Sequence, residues 1–113
     1  MNKIYLCFNE QMFKIGQTTT IISDRMKNIR KTDKNVQFLF YAEFNSTKAE
    51  LDFIESAVRL AMEKNGYKLY GIDHFMRKYS IKKAEKIVLQ AITETLNYFK
   101  IDFKIVYNTK LKE

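Results

Sequence analysis

Four residues of this chain have the types and spacing to act together on a phosphate: Tyr5, Lys14, Arg25 and Glu55. Tyr5 lies in the segment Lys3-Ile4-Tyr5-Leu6, and Lys14 in Phe13-Lys14-Ile15-Gly16-Gln17-Thr18. Arg25 follows Gly16 by nine positions, and Glu55 falls further on, within a helical pattern. Cutting a phosphodiester needs an activated water, charge neutralisation on the phosphate and help for the leaving oxygen. A strand tyrosine can orient or deprotonate water when a nearby cation lowers its pKa. An arginine fork grips non-bridging oxygens in pairs. One carboxylate can hold Mg²⁺ or Mn²⁺, which keeps most of its waters. A lysine near a metal can serve as base or touch phosphate, and a glycine lets backbone approach the substrate closely.

Each residue also has a plainer reading. Tyr5 fits an aromatic core position on a strand, and Lys14 a solvated edge-strand charge. Arg25 precedes Lys27, Arg30 and Lys31, as on a solvated helix face. Glu55 has Arg59 four residues on, the spacing of a surface ion pair, yet it also adjoins Ile54 and Val58 at the edge of an apolar stripe. The chemical reading requires all four to converge on one cleft.

The elements that must position them are legible in outline. Lys3 to Phe8 and Met12 to Ile15 read as two strands joined by an Asn9-Glu10-Gln11 turn. Thr18-Thr19-Thr20 offers helix caps, and Ile21, Ile22, Met26 and Ile29 continue at helical spacing to about Lys31. After a polar loop over Thr32 to Asn35, Val36 to Phe44 reads as a third strand. Thr47-Lys48-Ala49-Glu50 is a capping box. It opens a helix to about Lys64, with a stripe of Leu51, Ile54, Val58 and Ala61 widened by Ala57 and Leu60. Asn65-Gly66 stops it, and Tyr67 to Lys78 reads as irregular and aromatic. Ser80 caps a third helix with an apolar face of Ile81, Ala84, Val88, Ala91, Ile92 and Leu96, and Ile101 to Tyr107 is a last strand. The order ββαβααβ predicts a small α/β (α+β) domain.

A chain of 113 residues is one domain, 1–113, with room for one modest core. At 46% hydrophobic and 29% charged it is globular and not disordered. No apolar run reaches the roughly 18 residues of a membrane span, and Met-Asn-Lys-Ile-Tyr is not a signal peptide. An intracellular, cytoplasmic protein without a membrane partner is the simplest expectation. The single Cys7 excludes an internal disulfide and a cysteine zinc cluster, and the lone His74 excludes His-rich metal sites. Cys7 reads as a small buried strand residue, and His74 as polar or structural. The net charge of +7 favours a polyanionic partner. Lys27, Arg30, Lys31 and Lys34 around the first helix, and Arg77, Lys78, Lys82 and Lys83 before and within the third, are candidate phosphate contacts. Tyr67, Tyr70 and Tyr79 could stack on bases or pack as ordinary tyrosines. Richness in Lys, Asn and Ile without Pro or Trp suggests an AT-rich coding genome, such as a phage.

From Lys3 to Phe75 the chain resembles the GIY-YIG nuclease superfamily, and most closely its phage and viral branch, whose second motif reads Lys-Ile-Gly. Ile4-Tyr5 matches the first motif, with Lys3 in place of its glycine, and Lys14-Ile15-Gly16 matches the second. Arg25 in Asp24-Arg25-Met26 matches the arginine of the first helix, and Glu55 in Phe53-Ile54-Glu55 the metal-binding glutamate. Ile72-Asp73-His74-Phe75 is similar to a later acidic-aromatic element. The resemblance implies a central antiparallel sheet of three strands flanked by helices, here with an extra C-terminal strand. It implies a metal-dependent DNA endonuclease with Tyr5, Lys14, Arg25 and Glu55 as its site, Gly16 against the substrate and Mg²⁺ or Mn²⁺ on Glu55. DNA is favoured over RNA, intrinsic specificity is low, and a homodimer or protein partner is left open. Positions Asn28, Ile29 and Thr32 carry no histidine, so the base is Tyr5, Lys14 or a water on the metal. The alternative is an inactive nucleic-acid-binding or protein-interaction factor on the same fold, such as a phage regulatory or counter-defence protein.

Overall fold

The computed structural model describes residues 1–71 and 73–111. Its elements are β1 (Asn2–Phe8), β2 (Met12–Thr18), α1 (Ile22–Ile29), β3 (Gln37–Phe44), α2 (Lys48–Lys64), β4 (Leu69–Tyr70), β5 (His74–Met76), α3 (Ile81–Tyr98) and β6 (Phe103–Tyr107). They build one antiparallel sheet of six strands in the order β4-β5-β2-β1-β3-β6. The expected three-stranded centre is present as β2-β1-β3, and the expected last strand adds to it as β6. The short strands β4 and β5 correct the reading of Tyr67 to Lys78 as irregular. Strands of two and three residues are too brief for alternation to reveal them.

β1 lies inside the sheet, and helices cover both of its faces. That is why Ile4, Tyr5, Leu6 and Cys7 are all buried instead of alternating in and out. On one face Ile4, Leu6, Phe13, Ile15, Phe40, Phe44 and Phe75 pack against Leu51, Ile54 and Val58 of α2 and Ala84, Val88 and Ile92 of α3. On the other, Tyr5, Cys7 and Met12 pack against Met26 and Ile29 of α1 and Val36 beyond it. Two cores therefore share one sheet, and α1 and α2 lie on opposite sides of it.

Local chemistry sets the element ends. The Asn9 side chain accepts from the amides of Gln11 and Met12 and closes the β1–β2 turn. The Thr47–Glu50 capping box opens α2 as expected, with Thr47 Oγ1 accepting from Glu50 N and Glu50 Oε1 accepting from Thr47 N. Ser80 caps α3. At α1 the expected threonine cap fails: Ile21 is the N-cap, Thr18 and Thr20 bond each other, and the helix is only eight residues long. Leu60 is also corrected. It faces outward, 48% exposed, while Glu55 and Met62 join the buried stripe. α2 is tied to β2 by Gln17, which donates to Asp52 Oδ1 (2.8 Å) and accepts from Lys48 (2.6 Å).

Candidate active site at strands β1 and β2

Tyr5, Gly16 and Arg25 meet on the α1 face. Tyr5 and Gly16 are direct partners in the β1–β2 ladder, so both face α1. The Tyr5 ring lies over Gly16 so closely that a Cβ there would stand 2.2 Å from the hydroxyl and 2.4 Å from Cζ. Glycine is thus required for proximity: any side chain would displace the tyrosine. Arg25, one turn into α1, donates from Nε to the Tyr5 hydroxyl at 3.1 Å, its Cζ 6.0 Å from the ring centre. Tyr5 has no exposed surface. Burial pushes its hydroxyl up from 10.0 to about 12, against the downward pull of Arg25. The cation at this hydroxyl is therefore Arg25, and Tyr5 is a neutral donor and acceptor at ordinary pH.

Lys14 is one pair of residues along the same face, opposite Cys7 on β1 and His74 on β5. Its ammonium lies 3.5 Å from Asp73 Oδ2 and 3.9 Å from Asp33 Oδ2. His74 spans the same two carboxylates, Nε2 at 3.0 Å from Asp33 and Nδ1 at 2.9 Å from Asp73. Tyr70 leans on the imidazole, ring centres 5.6 Å apart. Strand β2, the loop after α1 and the approach to β5 are thereby fastened by one charge cluster. Sequence reading missed this group: Asp33 looked like ordinary loop polarity and His74 a solitary residue, since only the β2–β5 pairing brings His74 to Lys14 and only the loop after α1 brings Asp33 there. Of the segment Ile72-Asp73-His74-Phe75, Ile72 is outside the described residues. Beneath the cluster Cys7 is fully buried, and burial raises its thiol from 9.0 to about 12.

Glu55 approaches from the other side of the sheet. It is 8% exposed, as its place in the buried stripe of α2 dictates. One carboxylate oxygen meets Arg59 Nη2 at 2.5 Å. Arg59 also donates to the carbonyl of Ile15 at 3.3 Å, immediately before Gly16 on β2. Glu55 Oε2 and Arg59 Nε are buried without a hydrogen-bond partner among the described residues. Among the described residues no hydrogen bond or ion pair joins Glu55 to Tyr5, Lys14 or Arg25. The expected single cleft is therefore not formed: Tyr5–Gly16–Arg25 lie on one face of the sheet and Glu55–Arg59 on the other, and the two groups come near each other only at Ile15 and Gly16 of β2. Among the described residues no group of three His, Cys, Asp or Glu is arranged to hold a metal. Glu55 Oε2 is the carboxylate oxygen left without a partner among the described residues, but it is buried, so a cation would reach it only if a neighbour gave way.

The basic residues divide. Lys27, Lys31 and Lys78 are exposed and available to a polyanion. Arg30 is exposed too, but its Nε donates to the Val36 carbonyl at 2.9 Å. Arg77 is a structural clamp: it donates to the Asn9 carbonyl at 2.8 Å and lies over Phe8 and Phe13. Tyr67 is buried and removed as a stacking platform, whereas Tyr70 and Tyr79 are 43% and 41% exposed. Lys83 covers the Tyr79 ring, 3.7 Å from its centre. No described helix is long and apolar enough to cross a membrane.

Fold and site together define a small α+β domain that buries a tyrosine, bonded to a half-buried arginine, over a glycine of its second strand. The T5orf172 domain model matches residues 2–109, and the chain belongs to that phage-type family. No curated protein and no solved structure matches it.

Proposed function

We propose that this protein is a metal-dependent endonuclease of the GIY-YIG type, cutting DNA with low intrinsic sequence specificity. The observation that carries the reading is the contact of Tyr5, Gly16 and Arg25, three motif residues far apart in sequence. Membership in a phage-type family and the +7 charge support a nucleic-acid substrate in a phage setting. The Tyr5 hydroxyl, fully buried, accepts from Arg25 and so orients the guanidinium. Arg25 spends only Nε on Tyr5, which leaves its terminal N–H groups to grip non-bridging oxygens. Lys14, buried and paired with Asp33 and Asp73, would contribute to phosphate contact only through a shift of those carboxylates. Glu55 is the ligand that would hold Mg²⁺ or Mn²⁺, whose chemistry is to neutralise phosphate charge and activate water. A second copy of the chain or a protein partner would supply specificity that one domain lacks.

The pairing of Glu55 with Arg59, on the sheet face away from Arg25, favours a second reading: a nucleic-acid-binding or protein-interaction factor that does not cut. Duplex DNA incubated with Mg²⁺ or Mn²⁺ separates the two. The endonuclease reading expects cleavage by the native protein and its loss in Glu55→Gln, with the fold and DNA retention unchanged. Full activity in Glu55→Gln removes the metal role of that residue. DNA retention with no cleavage by the native protein establishes the second reading.

A further inference from the structure

We propose that Arg59 is the resident counter-ion of Glu55, exchanged for the divalent metal on that carboxylate, and that its released guanidinium becomes a phosphate contact on β2 beside Gly16. The inference rests on the reading of Glu55 as metal ligand. Both oxygens of Glu55 are out of reach of a hydrated ion: one is held by Arg59 at 2.5 Å, the other is buried. A metal can therefore enter only if a neighbour yields. Arg59 is the partner able to move, with a side chain 26% exposed against 10% for Glu55. Its one other hydrogen bond among the described residues is a 3.3 Å contact to the Ile15 carbonyl, a neutral acceptor that a phosphate oxygen outcompetes. The pair is also incompletely satisfied, since Glu55 Oε2 and Arg59 Nε have no partners among the described residues. Desolvated charged groups left this way are costly, which lowers the barrier to exchanging Arg59 for a ligand that engages the carboxylate better.

Position explains why a cation belongs there. Arg59 reaches the backbone one residue before Gly16, and Arg25 reaches the tyrosine that lies on Gly16. Two guanidiniums thus approach the same point of β2 from opposite faces of the sheet. A strand of nucleic acid passing that point would take Arg25 on one phosphate and Arg59 on another. By linkage, whatever draws Arg59 away from Glu55 strengthens metal binding, and metal binding in turn frees Arg59.

The test measures Mn²⁺ binding to the metal-free, DNA-free protein, with the electron paramagnetic resonance signal of free Mn²⁺ as readout. Native protein, Arg59→Leu, Arg59→Lys and Glu55→Gln are compared. Removing the competing charge should tighten Mn²⁺ binding by ~10–100-fold in Arg59→Leu, the scale on which neighbours tune metal ligands. Arg59→Lys, which keeps the charge, should stay near the native value, and Glu55→Gln should not bind. Arg59→Gln replaces Arg59→Leu should the latter fail to fold, with the same expectation. Equal or weaker Mn²⁺ binding in the neutral variants, lost in Glu55→Gln, overturns the exchange and leaves Glu55 a ligand. Absence of binding in every protein, the neutral variants included, overturns the exchange together with the metal reading of Glu55.

Discussion

At the scale of single residues, the site is decided by how little space Gly16 occupies. A methyl group there would stand 2.2 Å from the Tyr5 hydroxyl, so Gly16→Ala must push the ring off Arg25 or shift β1 from β2. Overpacking of this kind costs ~1–3 kcal/mol. We expect a urea midpoint lowered accordingly and cleavage lost even where the variant is fully folded. A native-like midpoint would mean the ring has another place to go. Tyr5 also gives the protein an alkaline signature. Its folded pKa of about 12 exceeds the ordinary 10.0, so its contribution is complete below pH 10 and is lost as the pH rises towards 12. Two units correspond to ~2–3 kcal/mol at most. Cys7, raised from 9.0 to about 12, adds a larger loss that begins at pH 9, so Tyr5→Phe should flatten the decline without abolishing it. An unchanged pH profile in Tyr5→Phe would remove this explanation. The motif residues Tyr5, Gly16 and Arg25 were legible because their types, order and offsets match the motifs of the family that the sequence resembles. Asp33 and His74 were not, because His74 reaches Lys14 only through the β2–β5 pairing and Asp33 only through the course of the loop after α1. Arg59 was visible only as a partner of Glu55, since nothing in helical spacing reveals its bond to a strand carbonyl.

At the scale of elements, what the chain announces well is what local chemistry controls. The capping box at Thr47 and the Ser80 cap fix where α2 and α3 begin, and both helices start as their sequences require. α1 departs from its sequence signals because Thr18 belongs to β2 and bonds Thr20, leaving Ile21 to begin the helix without a side-chain cap. β4 and β5 escaped notice because two or three residues carry no periodicity; they exist through pairing with β2 and each other. This distinction is testable at α2. Thr47→Ala removes the acceptor for Glu50 N and leaves the site residues untouched. Loss of such a cap costs ~1 kcal/mol. Thermal unfolding should shift downward while cleavage below the transition stays native. A parallel loss of activity would show that the start of α2, tied to β2 through Lys48, Asp52 and Gln17, helps set the position of Glu55.

At the scale of the whole molecule, the question is how the +7 charge is spent. The longest dimension is 35 Å. Duplex DNA carries one phosphate per ~1.7 Å, about twenty over that length, of which one face of the protein can reach a fraction. Contact with four to six phosphates would give a slope of log K against log salt of roughly −4 to −5. The structure divides the basic residues that could contribute. Lys27 and Lys31 are exposed on and just past α1, whereas Arg77 is committed to the Asn9 carbonyl and to the rings of Phe8 and Phe13. Replacing Lys27 and Lys31 together by Gln should therefore reduce the slope by about two, one unit for each lost phosphate, with stability unchanged. Arg77→Gln should do the reverse, lowering stability while leaving the slope near its native value. The two variants distinguish a phosphate-binding face from a charge that merely decorates the surface. A flat titration of the native protein between low and physiological salt would remove DNA as partner. An Arg77→Gln slope loss as large as that of the lysine pair would mean that the clamp on the β1–β2 turn releases its guanidinium to the nucleic acid.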